Sequence, residues 1–170
     1  MDIEVLILAQ LMQGPKHGYE IKKNIVVVLN SQRMINNNSL YPKLKRFEER
    51  GMVSKTMEEQ DKRPNRHVYA ITESGRRFFL DTLHRFSPEL IESDEEWGLR
   101  LAYYHFLDKP ARMRLLVFRR QALAEKRLRL EKLGQGDLPL FSRELSLYLQ
   151  DMMMKEEEII IRLQAELDQL

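Results

Sequence analysis

The chain has no cysteine, one tryptophan and seven glycines in 170 residues. Without cysteine there is no disulfide scaffold, no thiolate nucleophile and no Cys-ligated zinc. The four histidines, at 17, 67, 84 and 105, lie in separate stretches, with no HxH or HExxH spacing for a metal. A P-loop and a GxGxxG are also missing. No metal, cofactor or enzymatic activity is therefore expected. No apolar run approaches the roughly 20 residues that span a bilayer. The first one stops at Gln13-Gly14-Pro15, and Met1-Asp2-Ile3-Glu4-Val5 carries acids where a secretory signal needs bases. The expectation is a cytoplasmic protein with no membrane contact.

What is present suits a folded chain. Hydrophobic residues make up 43% and charged residues 32%, enough apolar material for a core. The length allows one domain or two small ones. A net charge of +2 hides an asymmetry. Residues 1–86 hold 15 Lys+Arg and 10 Asp+Glu, and residues 87–170 hold 13 and 16. A basic front half suits a polyanion partner, and the acidic rear half suits another task; ordinary charge scatter is the plainer alternative. Ser87-Pro88-Glu89-Leu90 is the candidate boundary between domains 1–86 and 87–170.

The spacing predicts helices over 2–13 and 17–30 and a third one from Ser39, or close to it, to about Arg50. Pro42 places that third N-terminus, because proline fits where its N–H is unpaired anyway. Leu40, Leu44 and Phe47 share its core face, and Gly51 stops it. Strands follow at 52–58 and 66–71, joined by a turn rich in cations. Thr72-Glu73-Ser74-Gly75 caps a fourth helix. The front half therefore reads as a winged helix-turn-helix, whose third helix enters a major groove while the hairpin tip reaches phosphates or the minor groove. A small α+β domain that binds nothing has the same order of elements.

Three motifs sharpen this: His17-Gly18-Tyr19-Glu20-Ile21; Ser39-Leu40-Tyr41-Pro42 continuing to Leu44, Arg46, Glu48 and Gly51; and Arg63-Pro64-x-Arg66-x-x-Tyr69-x-Ile71-Thr72-x-x-Gly75. Together, over about 80 residues, they resemble the PadR family of bacterial transcriptional regulators. The resemblance implies a winged helix that binds operator DNA as a homodimer, usually as a repressor and sometimes as an activator. It implies DNA-side roles for Tyr19, Ser39 and Tyr41, and wing roles for Arg63 and Arg66. The chain departs from the family pattern at Lys62, where many members carry glycine, and at Phe47, where leucine is commoner. Helix geometry and charge add Asn37, Asn38, Lys43, Lys45 and Lys62 as DNA-contacting candidates. Each has a plainer alternative: Tyr19 as core, Ser39 as a helix cap, Lys45 as one half of an exposed ion pair. Glu48 and Glu49 would repel phosphate, so the N-terminal half of the third helix is the reading end.

Residues 87–170 read as helices throughout. Ser93 caps an acidic first turn, and that helix holds Trp97, Leu99, Leu101, Tyr104 and Leu107. Asp108 and Pro110 open a helix to about Leu133, and Pro139 opens one of about 30 residues, roughly 45 Å long. Leu145, Leu149, Met152, Met153, Ile159, Ile160, Leu163 and Leu167 give the last helix a broad apolar stripe. A second subunit is the economical cover, and an intramolecular three-helix bundle is the alternative. This half resembles the helical C-terminal domain of the family's long, virulence-activator-type branch. Trp97 and Tyr104 are candidates for a pocket for a small apolar or aromatic effector, although such aromatics are more often core. The overall expectation is a mostly α chain with a small β-hairpin, a DNA-binding front and a dimerising rear. The rival is a winged-helix interaction module without DNA binding.

Overall fold

The computed structural model describes residues 3–29, 36–58, 66–133 and 139–169. They fold as two compact units, residues 1–85 and 86–170. The chain is mostly helical, with one small antiparallel sheet. Among the described residues no helix is long and apolar enough to cross a membrane.

The first unit runs α1 (Ile3–Met12), β1 (Lys16–His17), α2 (Gly18–Leu29), α3 (Asn37–Glu49), β2 (Val53–Glu58), β3 (Arg66–Ile71) and α4 (Glu73–His84). Leu6, Ile7, Leu8, Ile21, Leu40, Leu44, Phe47 and Phe79 form its core. The hairpin pairs Val53 with Ile71 through Glu58 with Arg66. A third strand, absent from the expectation, comes from Lys16 and His17, which pair with Tyr69 and Val68. Two residues carry too little pattern to read as a strand.

The start of α3 differs from the expected one. Its N-cap is Asn36, not Ser39, and the Asn36 side chain accepts the Ser39 N–H at 2.8 Å. The Ser39 hydroxyl donates back to the Asn36 carbonyl at 2.9 Å. Asparagine is as good a cap as serine, and the chain takes the earlier one. Pro42 then sits in the second turn, where its missing N–H costs only the Asn38 carbonyl its helical partner.

The end of α3 is built around Gly51, whose φ of 67° is open to glycine at little cost. The Gly51 N–H bonds the Glu48 carbonyl and the Met52 N–H bonds the Phe47 carbonyl, the paired bonds of a Schellman turn. Thr72 locks this turn to α4. Its N–H bonds the Met52 carbonyl at 3.0 Å, its hydroxyl donates to the Gly51 carbonyl at 2.7 Å, and the same oxygen caps the Gly75 N–H. A Cβ on Gly75 would stand 2.1 Å from the Met52 carbonyl oxygen. The Thr-x-x-Gly motif is thus a joint between α3, the wing and α4.

The second unit holds α5 (Pro88–Ile91), α6 (Asp94–Ala102), a 3-10 turn (Tyr104–Phe106), α7 (Lys109–Leu133) and α8 (Leu140–Asp168). Ser87, Ser93 and Asp108 side chains cap α5, α6 and α7. The expected helix through Leu107 breaks at Tyr103, so Tyr104 and Leu107 lie outside α6. The α7–α8 hairpin is antiparallel, as Arg120 to Gln164 and Arg127 to Glu157 show.

Candidate nucleic-acid interface

His17, Gly18, Tyr19 and Glu20 bind the wing to the helix-turn-helix. The Glu20 carboxylate accepts the His17 N–H at 2.8 Å, the backward half of a capping box at the start of α2. His17 Nδ1 lies 3.2 Å from the His67 carbonyl, and Nε2 lies 3.4 Å from the Glu58 carboxylate. One ring therefore spans both strands of the wing. It also stacks on Tyr19, with centroids 5.6 Å apart and planes at 12°. Tyr19 is 54% exposed, so it is no core residue. The Arg66 guanidinium lies 5.8 Å from its ring centroid, within cation–π range.

Gly18 is where α2 meets α3. A Cβ there would stand 2.8 Å from Tyr41 Cε1 and 2.9 Å from its hydroxyl. Only glycine lets the Tyr41 ring lie where it does. Tyr41 remains 43% exposed and, with His17, Tyr19, Arg66, His67 and Tyr69, lines an open cleft of about 290 Å³. Tyr69 is buried, and its burial raises the phenol's pKa, with the nearby Tyr41 and Glu48 adding to the rise. Its hydroxyl therefore stays protonated.

Asn37 and Asn38 are exposed on the first turn of α3, and Ser39 is half-buried. Lys22 reaches Asn37 Oδ1 at 3.4 Å. The helix thus presents two amides and a phenol at its positive end, beside a cation on β3. Other candidates stand apart. Lys43 turns to α1, where its ammonium and the Arg46 guanidinium meet the Glu4 carboxylate at 3.3 and 3.5 Å. Lys45 is exposed and lies 3.8 Å from Glu49, one turn on. Lys62 and Arg63 lie outside the described residues. Sequence reasoning missed the joints: Gly18, His17 and Glu20 were read as a motif without a part to play. A glycine opening a helix was the signal, since it favours close approach.

In the second unit the hub is Arg119, also missed. It is 1% exposed. Its Nε and Nη2 grip Glu156, Nη2 meets Asp94 at 2.6 Å, and Nη1 donates to the Ile91 and Glu92 carbonyls at 3.0 and 3.2 Å. Burial works against its charge, but Glu156 and Asp94 prevail and raise its pKa. Asp94 also meets Lys126 at 2.7 Å. The guanidinium lies 5.5 Å from the Trp97 ring centre. Beside them is a cleft of about 560 Å³ lined by Trp97, Leu123, Leu149, Met152 and Met153. Tyr104 does not line it. Arg112 lies over the Tyr104 ring instead, and the Tyr104 hydroxyl is buried without a hydrogen-bond partner. The eight stripe residues also divide. Ile160 and Leu167 are buried, Leu149, Met153, Ile159 and Leu163 are half-buried, and Leu145 and Met152 are exposed.

Residues 1–85 thus define a winged helix-turn-helix: a capped third helix, a two-stranded wing, and a short strand fastening the two. The model of the PadR-like family of transcriptional regulators matches residues 7–81, within this unit. Through that unit the chain belongs to the PadR-like family of transcriptional regulators. It is similar to a solved transcriptional regulator of Clostridium thermocellum, at 27% identity over 62% of this chain and 93% of that one, with a TM-score of 0.45. It is similar to a PadR family regulator of Clostridium difficile, at 26% identity over 47% and 81%, TM-score 0.41. PadR of Bacillus subtilis, solved in complex with operator DNA, matches at 22% identity over 99% and 97%, TM-score 0.49. No curated protein matches the chain.

Proposed function

We propose that the protein is a homodimeric transcriptional repressor of the cytoplasm that binds palindromic operator DNA. Asn37, Asn38, Ser39 and Tyr41, at the N-terminal end of α3, read base edges in the major groove. Tyr19 and Arg66, with Lys62 and Arg63 on the wing and Lys45 along the helix, contact the backbone. Lys43, tied to Glu4, serves mainly to hold α1 against α3. The observation that carries this reading is the exposed amide-and-phenol end of α3 beside the Tyr19–Arg66 pair. One winged helix reads one half-site, and a two-fold dimer matches two half-sites about 34–36 Å apart, or a multiple of that spacing.

The test is fluorescence anisotropy on labelled DNA from upstream of the protein's own gene, beside a scrambled duplex, at 50 and 200 mM salt. Selective binding that falls roughly 10³–10⁵-fold across that range supports the reading. No binding at either salt favours the interaction module. Loss of transcription from the bound promoter when the gene is deleted reverses repressor to activator. A second reading concerns the rear unit: the apolar cleft beside Trp97 suits a small apolar or aromatic effector. Quenching of the single tryptophan by such a compound, with release of DNA, tests it.

A further inference from the structure

The helix that would enter the groove carries little net charge. α3 holds three cations, Lys43, Lys45 and Arg46, against two acids, Glu48 and Glu49. Glu4, from α1, brings a third acid to the same helix. Its Oε1 lies 3.3 Å from the Lys43 ammonium and 3.5 Å from the Arg46 guanidinium. With that one carboxylate counted, the charges cancel. The ion pairs on α3 also differ in burial. Lys45 and Glu49 have side chains 76% and 63% exposed, so water and salt screen the pair and a phosphate can take the lysine from it. The Glu4 and Lys43 side chains are 16% and 26% exposed. A carboxylate so placed is screened less, holds its cations more firmly and repels a phosphate that approaches them. Glu4 stands outside the three sequence motifs and before residues 7–81, the part that the family model matches.

A DNA-binding helix has a reason to hold its own cations back. Phosphate contacts are the same on every sequence and supply the non-specific affinity. Base contacts tell sequences apart, and discrimination is the difference between the two affinities. On the operator, α3 is fixed by the amides and phenol at its N-terminal end, and Glu48 and Glu49 keep its C-terminal half off the backbone. On random DNA no base contact fixes it, and the unit lies wherever its cations meet the most phosphate. A free cation in the C-terminal half of α3 therefore favours random DNA over operator. We propose that Glu4 is a specificity-determining residue: it withholds Arg46 and Lys43 from the phosphates, so that α3 reads bases while adding little sequence-independent affinity. Arg46 is the cation that matters most, because its side chain is 55% exposed and reaches a phosphate once released. The grip on the backbone is left to the wing, where Lys55 and Arg66 are exposed on the two strands. The inference rests on the DNA-binding reading and names a residue that sets its selectivity.

The test is anisotropy of the full chain on the upstream duplex and its scramble, at several salt concentrations from 50 to 200 mM, with circular dichroism of each variant. Glu4→Gln keeps the size of the side chain and removes its charge. On the scrambled duplex the freed cation should add about one phosphate contact, steepening the salt slope by about 0.9 and enlarging the fall in affinity across that range about 3.5-fold. The operator slope should change less, so discrimination at 50 mM should drop about threefold. Arg46→Gln is the second arm. In the native chain it should leave the scrambled-duplex slope as it was, because Arg46 is withheld already. In the Glu4→Gln chain it should remove most of the added slope. A change of charge alone, without release of Arg46, would make the effect of Arg46→Gln the same in both chains. That result overturns the proposal. So does an unchanged slope in folded Glu4→Gln, and so does an equal gain on both duplexes. A shallower slope from Arg46→Gln in the native chain would put that arginine on a phosphate from the start, with the same consequence. If Glu4→Gln does not fold, Glu4→Asp takes its place, drawing the carboxylate back by one carbon with its charge kept; a smaller steepening supports withholding and none overturns it. The native chain is measured first. Binding to neither duplex at any salt would mean that the DNA-binding reading itself has failed, and the role of Glu4 falls with it.

Discussion

Residues 1–85 bury Leu6, Leu40, Phe47 and Phe79 and leave amides and cations outside, while residues 86–170 bury Arg100 and Arg119 and leave Phe141, Leu145 and Tyr148 outside. In the first unit apolar packing is closed, and exposed polar groups face outward on rigid supports: Asn38 on a capped helix, Tyr41 against Gly18, Arg66 on a strand. In the second, a buried guanidinium joins α5, α6, α7 and α8, and an apolar seam stays uncovered. A unit with a closed core and a polar face is suited to a charged ligand. A unit with an uncovered seam on a long helix is suited to another protein surface.

The largest effect that breaks this comparison is Arg119→Ala. It strands Glu156, Asp94 and two carbonyls, and removal of one partner from a buried pair costs about 3–5 kcal/mol. Trp97 is the only tryptophan and lies in the same unit, so urea unfolding followed by its fluorescence reads this unit alone. Replacing Arg119 and Glu156 together by methionine should cost less than the two single changes added. A sum that is additive would mean the pair is not coupled. Next comes Gly75→Ala in the other unit. Its Cβ meets backbone, not a side chain that could turn aside, so the α3–α4 joint must open. The expected cost is about 1–3 kcal/mol, seen by circular dichroism, with the Trp97 transition unmoved.

The outward polar groups are tested by binding. Asn38→Ala and Tyr41→Ala should cut discrimination between operator and random DNA by about 1–3 kcal/mol while leaving random binding nearly intact. Lys62→Ala and Arg63→Ala should weaken both DNAs alike and lower the salt slope by about 1 each. The same loss on both DNAs for Tyr41→Ala would deny it a reading role. Unchanged slopes for both wing variants would move the wing off the backbone.

The order of helices and strands in the first unit was legible because each element ends on strong punctuation: Gly14-Pro15, Gly51, Thr72. The start of α3 was not, because Asn36 and Ser39 are comparable caps and Pro42 weighs against the longer helix until the lost bond proves to be a single exposed one. β1 was too short to show a period. The amide and phenol candidates could be named from the motif, but their supports could not. That Gly18 seats Tyr41, or that His17 bridges both wing strands, is contact between residues far apart in the chain. Arg119 hid for another reason. In sequence it is one of two adjacent arginines on a long charged helix, and nothing there shows that Arg119 turns inward while Arg120 stays exposed. The stripe on α8 read as one surface because periodicity gives a face and not its depth. α7 covers one side of it, and the exposed seam is what α7 leaves.

The smallest effect sharpens the comparison at the edge of the hub. Asp94 is exposed on one side and bonded to Lys126 and Arg119 on the other. Its partial burial works to raise the carboxyl's pKa, but the bonds to Lys126 and Arg119 overcome it, and the pKa falls below the usual value. A carboxyl with a lowered folded pKa binds its proton more readily in the unfolded chain. Its stabilisation is therefore whole above the unfolded value, about 3.9, and drains away as pH falls through the folded one. Because solvent reaches Asp94, the contribution should be below about 1 kcal/mol. Urea midpoints of the Trp97 transition should thus fall more steeply below pH 4 in the native chain than in Asp94→Asn. Above pH 5 the variant should be slightly less stable, with a constant difference. Parallel curves down to pH 3 would mean that Arg119 is held by Glu156 and the α5 carbonyls alone, and that Asp94 only caps α6.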